Sequence, residues 1–263
     1  MSDKSVNVEL LRFAHKLADH AGKVILRHFR QRGDVVDKGA GAFDPVTEAD
    51  RGAEAEMRRL IAAEYPGHGI AGEEFDDKPA DGPYCWVLDP VDGTRAFICG
   101  LPVWGTLIGL TYEGRPLLGV MDQPYIGERF WGSPAGAHHR DRQGERPLST
   151  RRCGALGEAI LGATTPDMFK GDEASRFGRL SQACRLTRFG GDCYFYSLLA
   201  MGFVDIVAEA SLKPFDIVPL IPIIEAAGGR VTTWDGGDPV QGGRVLAIGD
   251  PALHEAAMRA LAV

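Results

Sequence analysis

The stretch Trp86-Val87-Leu88-Asp89-Pro90-Val91-Asp92-Gly93-Thr94 decides the reading of this chain. An apolar, β-prone run ends in an acid. A proline follows, which cannot donate to a ladder, and a second acid then precedes a Gly-Thr step. The spacing predicts a strand that stops at Asp89, with Asp89 and Asp92 splayed at its end rather than paired across a sheet. Three residues apart in a tight turn, the two carboxylates converge on one point, and the Val91 carbonyl is free to join them. Converging acids repel unless a cation lies between them, and isolated buried charge is costly. The donors are hard oxygens with no Cys or His set beside them, which suits Mg2+ or Mn2+ and argues against zinc. Gly93-Thr94 reads as the start of a short helix whose free N–H groups suit a phosphate.

Further acid-bearing turns lie outward from this core. Gly72-Glu73-Glu74 follows a short apolar approach upstream. Downstream, Asp216 of Lys213-Pro214-Phe215-Asp216 reads as the N-cap of an apolar helical run ending at Ala226-Ala227-Gly228-Gly229, with Pro222 kinking the run. Each motif alone is a common turn or cap; their joint occurrence carries the reading.

Periodicity gives the frame. Leu10, Phe13, Ala14, Leu17, Ala21, Val24, Ile25 and Phe29 predict a helix over 8–30. His15, His20 and His28 lie on it without the one-turn spacing of a metal pair. Gly39-Ala40-Gly41 reads as a turn, and 47–64 as a second helix entered from Asp44-Pro45. Short β-like runs at 84–88, 106–112, 117–121 and 129–132 form a meander. The polar stretch near 138–152, whose arginines Arg140 to Arg152 read as a solvated loop, marks the lobe boundary. Beyond it, strands are expected at 159–163, 204–208, 229–233 and 245–248, and helices at 173–182, 193–201, 218–227 and 252–261. The class is mixed α and β in layers, with lobes at 1–145 and 146–263.

Composition excludes several alternatives. With 44% hydrophobic residues in 263, the chain has material for a sizeable core and is not disordered. Net charge is −7 and the basic residues do not cluster, so no nucleic-acid footprint is expected. Five scattered cysteines without a CxxC pair fit buried thiols in a reducing cytosol. The apolar run 217–224 is far short of a membrane span and the N-terminus lacks an apolar signal region, so no membrane partner and a cytoplasmic location are expected.

Three motifs, in order, resemble the inositol monophosphatase superfamily of metal-dependent, lithium-sensitive phosphatases. They are Asp44-Pro45-Val46-Thr47-Glu48-Ala49-Asp50, then Gly72-Glu73-Glu74 with Trp86 to Thr94, then Phe215-Asp216 with Ala226-Ala227-Gly228-Gly229. The likeness spans roughly 10–260. Within that superfamily the chain is most similar to the histidinol-phosphate phosphatases, through Gly100 to Gly109, Gln123 to Arg129, Arg188 to Tyr194 and Leu212 to Asp216. Where generic inositol phosphatases carry Gly-Ser/Thr-Ala-Ala, this chain has Gly190-Gly191-Asp192-Cys193. Where they carry Thr-Thr-Asn-Phe, it has Thr94-Arg95-Ala96-Phe97. Both departures point away from inositol phosphate.

The resemblance implies an α+β, layered αβαβα sandwich of the inositol monophosphatase / fructose-1,6-bisphosphatase type, a homodimer with its site between two lobes. It implies one Mg2+ held by Glu73, Asp89 and the Val91 carbonyl, and another by Asp89, Asp92 and Asp216. A third, weaker ion uses Glu73 and water, and Mn2+ substitutes. It further implies direct attack of an activated water on phosphorus. Glu73 and Thr94 position that water, Asp50 orients the Thr94 hydroxyl, and the Gly93 and Thr94 N–H groups hold the phosphate; Asp92 and Asp216 are counted among the substrate-binding residues as well as the metal ligands. The implied substrate is the small phosphomonoester L-histidinol phosphate of histidine biosynthesis, whose ammonium and imidazole want acidic partners. Asp192, beside Gly191, and Glu209, seven residues before Asp216, form such a subsite; Asp192 has a second reading as a helix cap. Arg188 is either a substrate contact or a partner for these acids. Phosphatases acting on inositol, sugar or nucleotide phosphates are the alternatives, as is a non-catalytic binding protein, which predicts an eroded acid set.

Overall fold

The structure, a computed structural model, describes residues 3–31, 36–37 and 45–262. Helix α1 spans Asp3–Ile25, and two-residue strands β1 (Val36–Asp37) and β2 (Pro45–Val46) pair antiparallel before α2 (Glu48–Glu64). A seven-stranded sheet follows in chain order: β3 (Gly69–Gly72), β4 (Tyr84–Asp92), β5 (Gly105–Tyr112), β6 (Arg115–Gln123), β7 (Glu128–Ser133), β8 (Gly136–Asp141) and β9 (Gly144–Pro147). The short helix α3 (Thr94–Ile98) lies between β4 and β5. β3 and β4 are parallel and the other neighbours antiparallel. The second sheet has β10 (Ile160–Ala163), β11 (Leu186–Phe189), β12 (Ile206–Leu212), β13 (Arg230–Thr233) and β14 (Gly243–Ile248), in the order β11-β10-β12-β14-β13. Its helices are α4 (Asp172–Ala183), α5 (Asp192–Ala200), α6 (Pro214–Ile217), α7 (Ile221–Ala226) and α8 (His254–Leu261).

Side-chain alternation sorts these strands into three apolar layers. On β5 and β7, Ile108 and Trp131 face α1 and α2, whereas Leu107 and Phe130 face α5 and α7. On β12 and β14, Val207, Val245 and Ala247 join that middle layer. Ile206, Ala208, Leu246 and Ile248 instead pack with Phe177 and Leu180 of α4 and Ala257 and Leu261 of α8. The result is an α+β stack, helix–sheet–helix–sheet–helix, whose middle layer draws on both sheets. No helix among the described residues is long and apolar enough to cross a membrane.

Several expectations are corrected. The helix expected over 8–30 gives way to turns after Ile25, where bonds tighten to Arg27 N–H→Val24 O (3.2 Å) and His28 N–H→Ile25 O (2.9 Å). β4 does not stop at Asp89 but runs through Pro90 to Asp92. The proline is tolerated because β3 pairs no further than Leu88, so that side has no ladder to break. On the other side a bulge separates Asp89↔Leu107 from Asp92↔Gly105. The arginine-rich 138–152 stretch begins with the β8–β9 hairpin rather than a loop, its alternation masked by charged side chains on exposed β9. The helix expected over 218–227 shrinks to α7, with a turn at 218–220 separating it from α6 just upstream, since Pro219 lacks an N–H donor to carry α6 onward. The helix expected from 252 opens with a 3-10 turn, Pro251–Leu253. β3 and β11 were not anticipated; both are four-residue strands. Of the five free cysteines, Cys153 and Cys193 are buried but Cys99 is exposed. The expected Gly39–Gly41 turn lies outside the described residues.

The split segment is seated by glycines. Gly109, Gly119 and Gly132 are cross-strand neighbours on β5, β6 and β7. A Cβ on Gly119 would lie 1.7 Å from the Pro219 carbonyl oxygen, and one on Gly132 2.2 Å from that of Pro222. This furrow lets the proline-rich backbone lie directly on the sheet, next to the end of β4.

Candidate active site

The β4 bulge carries Asp89 and Asp92, and α6 brings Asp216 to them. One carboxylate oxygen of each lies within 4.8 Å of the others. Asp216 is not the N-cap expected of it. Lys213 holds that place, and Asp216 reaches back from the third helical position to accept its N–H at 2.7 Å. Asp92 Oδ2 accepts the Cys193 N–H at 2.8 Å, which ties β4 to the start of α5. Asp89 Oδ1 is buried without a hydrogen-bond partner.

Glu73 follows β3, its N–H donating to Leu88 O at 3.2 Å, and its charge acts on both Asp89 and Asp216. A buried residue that the motif reading did not single out holds this loop. Glu54 of α2 accepts the Glu74 N–H at 2.8 Å and Arg58 Nε at 2.7 Å. Arg58 in turn donates to Phe75 O and Asp76 O, each at 3.0 Å. The signal available in the sequence was an acid and an arginine four residues apart on a helix, which reads equally as a surface pair.

The acids are poorly solvated and face one another. Burial, then the neighbouring Glu73, pushes Asp89 well above the usual carboxylate range. Burial and Asp216 push Asp92 up to about 7. Burial raises Asp216 to about 7 as well, against the Lys213 hydrogen bond. A cluster of hard oxygens that holds protons this strongly, with one orphaned buried carboxylate atom, fits a divalent cation of the Mg2+ or Mn2+ kind.

Gly93 has φ 82°, a left-handed conformation, and ends β4 so that Thr94 opens α3. The expected Asp50–Thr94 contact is not made. Thr94 Oγ1 donates to Val91 O at 3.1 Å. Asp50 sits at the third position of α2, where it accepts both the Thr47 N–H (2.9 Å) and the Thr47 hydroxyl. The capping arrangement of α2 thus engages Asp50 Oδ2, while Oδ1 is buried without a hydrogen-bond partner. Asp50 is buried, raised to about 6 by desolvation, and adds to the field on Asp89.

A cavity of about 120 Å3 opens beside the cluster, lined by Asp92, Asp192, Glu209 and Asp216 together with Tyr196 and Met168. Glu209 accepts the Thr164 N–H at 2.7 Å and the Tyr196 hydroxyl at 2.8 Å, and burial raises its pKa. Asp192 is the first residue of α5, makes no capping bond, and is pushed up to about 8 by burial, Asp92 and Glu209. Gly191 precedes it; a Cβ there would meet the Phe195 ring at 2.4 Å. Arg188 lies on exposed β11, lines no part of this cavity and pairs with neither acid. Tyr196, Thr164 and the Cys193 N–H were not singled out, because backbone donors and a tyrosine within an apolar helix carry no sequence mark.

The profile of the inositol monophosphatase family matches residues 7–262. The chain is 41% identical to the chloroplastic bifunctional phosphatase IMPL2 of Arabidopsis thaliana, over 97% of this chain and 76% of that one. It is 32% identical to a histidinol-phosphatase of Chlorobaculum parvum, over 92% and 93%. An inositol monophosphatase from Zymomonas mobilis superposes with a TM-score of 0.87 at 39% identity, over 99% of both chains. The protein is a phosphatase-fold chain with an intact acidic centre, and it belongs to the inositol monophosphatase family.

Proposed function

We propose that this phosphatase is a Mg2+-dependent phosphomonoesterase that hydrolyses L-histidinol phosphate to L-histidinol and phosphate. The observation that carries the substrate is the pairing of Asp192 and Glu209 in the cavity that Asp92 and Asp216 also line. Two poorly solvated carboxylates beside a phosphate site are unfavourable for a neutral polyol. They suit a leaving group that bears an ammonium and an imidazole. Likeness to a histidinol-phosphatase supports the same reading.

In this proposal Glu73, Asp89, the Val91 carbonyl, Asp92 and Asp216 hold the ions. A bound divalent cation supplies Lewis-acid polarisation of the phosphoryl group and a lower pKa for coordinated water. Glu73 and Thr94 orient the attacking water, and Asp50 acts through its charge near Asp89. The Gly93 and Thr94 N–H groups hold the phosphate oxygens. Asp192 and Glu209 receive the substrate cation, with Gly191 keeping the backbone close. Arg188 is left for a contact outside the cavity. The 1–145 and 146–263 lobes both contribute, in a homodimer, and five free thiols support a cytoplasmic setting.

Phosphate release from L-histidinol phosphate, inositol 1-phosphate and fructose 1,6-bisphosphate, with magnesium and with chelator, tests this. Histidinol phosphate should give the highest kcat/KM, and chelation should abolish turnover. The second reading, an inositol phosphatase, is favoured by likeness to the Zymomonas mobilis protein and predicts the opposite ranking. Activity that survives chelation would overturn both.

A further inference from the structure

A second cluster of ligand-type side chains is joined to the first turn of α5 through Tyr194. Glu128 of β7 and His139 and Asp141 of β8 bring two carboxylate oxygens and an imidazole nitrogen within 4.8 Å of one another. Phe130↔His139 is a register pair and the two rings stack at 4.5 Å, so alternation puts all three ligands on the face turned to α5. The Tyr194 hydroxyl of α5 donates to Glu128 Oε2. Asp141 is fixed by the Gln143 N–H at 2.7 Å and by Arg146 at 2.6 Å, whose side chain is 44% exposed.

His139 points to a ligand independently. It is fully buried, and neither ring nitrogen has a hydrogen-bond partner. A neutral imidazole carries one donor and one acceptor, and burying both unpaired is unfavourable. Its Nε2 lies 3.6 Å from Glu128 Oε1. That exceeds the hydrogen-bond range of about 2.7–3.2 Å. It is close to the separation of about 3.3 Å between two atoms that each lie about 2.0–2.1 Å from one tetrahedral ion.

We propose that Glu128, His139 and Asp141 form a second metal site, for a borderline transition-metal dication of the Zn2+ class. One imidazole with two carboxylates prefers such an ion to Mg2+, unlike the all-oxygen centre at Asp89. A surface cavity lined by Glu128, Asp141 and Gln143 gives an entry path. Because Tyr194 directly follows Cys193, which holds Asp92, the ion braces the first turn of α5 rather than taking part in the reaction.

Zinc chloride alone is titrated into the full chain labelled with 15N-histidine, in an Asp89→Asn background that weakens the other centre. The His139 ring nitrogens, assigned with His139→Gln, should shift as the first equivalent binds, and magnesium should leave them unmoved. Tyr194→Phe, which removes only the partner orienting Glu128, should weaken zinc binding about tenfold or more, as outer-shell losses do. If an excess of zinc leaves the His139 signals in place, or magnesium moves them equally, the proposal is overturned. If His139→Gln fails to fold, the His139 ring signals are assigned instead by through-bond correlation to its backbone amide in a uniformly 13C,15N-labelled chain, so the test stands with Glu128, His139 and Asp141 intact.

Discussion

The Cys193 N–H donates to Asp92 Oδ2 at 2.8 Å, joining residues 101 positions apart. The bond aligns the end of β4 with the start of α5, and a further closeness follows from it. A Cβ on Gly93 would lie 3.1 Å from that of Asp192, and Asp192 itself is held at φ 42°. A non-glycine residue in the left-handed region is strained by about 1–3 kcal/mol and persists only where its surroundings fix it. Here the strain directs an acid at the turn proposed to hold the phosphate.

Asp192→Asn keeps the shape and removes the charge. Hydrolysis of histidinol phosphate should fall by at least about tenfold in kcat/KM, the effect of about 1.4 kcal/mol, while a neutral sugar phosphate loses much less. Steady-state kinetics on both substrates check this. Equal losses on the two would remove the charge argument.

Asp89→Asn should abolish magnesium-dependent turnover with the fold intact, since it relieves like-charge crowding at a buried site. Magnesium at 100 times its Kd should stabilise the wild type by about 2.7 kcal/mol and the variant far less. Thermal denaturation with and without magnesium reads the difference. Substantial magnesium-dependent activity in the variant would exclude Asp89 as a ligand.

Gly119→Ala places a methyl group 1.7 Å from the Pro219 carbonyl oxygen. Backbone cannot yield as a flexible side chain does, so the variant should lose about 1–3 kcal/mol or more and also activity, because α6 carries Asp216. Gly178→Ala, in α4 with open space around it, should instead stabilise by up to about 1 kcal/mol. Urea denaturation of the two, beside kcat, separates packing from propensity.

His15 gives a pH dependence. Burial, then Arg129 and Arg140, lowers its pKa from 6.5 to about 4, and its ring lies edge-on to Trp131 at 4.8 Å. A depressed base takes up a proton more readily when unfolded. Its contribution is therefore whole above pH 6.5, shrinks as pH falls, and is exhausted near pH 4. Between those limits the wild type should lose stability more steeply than His15→Gln, by up to one proton or about 1.4 kcal/mol per pH unit. Denaturant melts across this range measure the slopes, and parallel slopes would rule out a half-buried, neutral His15.

Much of the frame was legible because alternation and helical period are properties of a local run. The apolar stripe of α1 and the alternation along β5, β12 and β14 fix which faces are buried. The bulge at Pro90 was not legible, since whether a proline breaks a strand depends on where its neighbour ends, here at Gly72, opposite Leu88. The same holds for Asp50, whose bond to Thr94 was implied by resemblance alone, whereas the structure has it accept from Thr47 three residues upstream.

By itself, the sequence determined the chemistry on offer: carboxylates at turns, hard-oxygen donors without a thiol set, and a glycine–threonine step after an acid. Side-chain type sets charge and donor hardness without reference to any partner. Only the tertiary structure decided which of these groups meet. Asp216 reaches Asp89 and Asp92 because glycines on three strands admit a proline-rich backbone, and Glu128, His139 and Asp141 meet because two strands share a register. Close approach between distant segments is set by packing across the sheet, which no local pattern encodes.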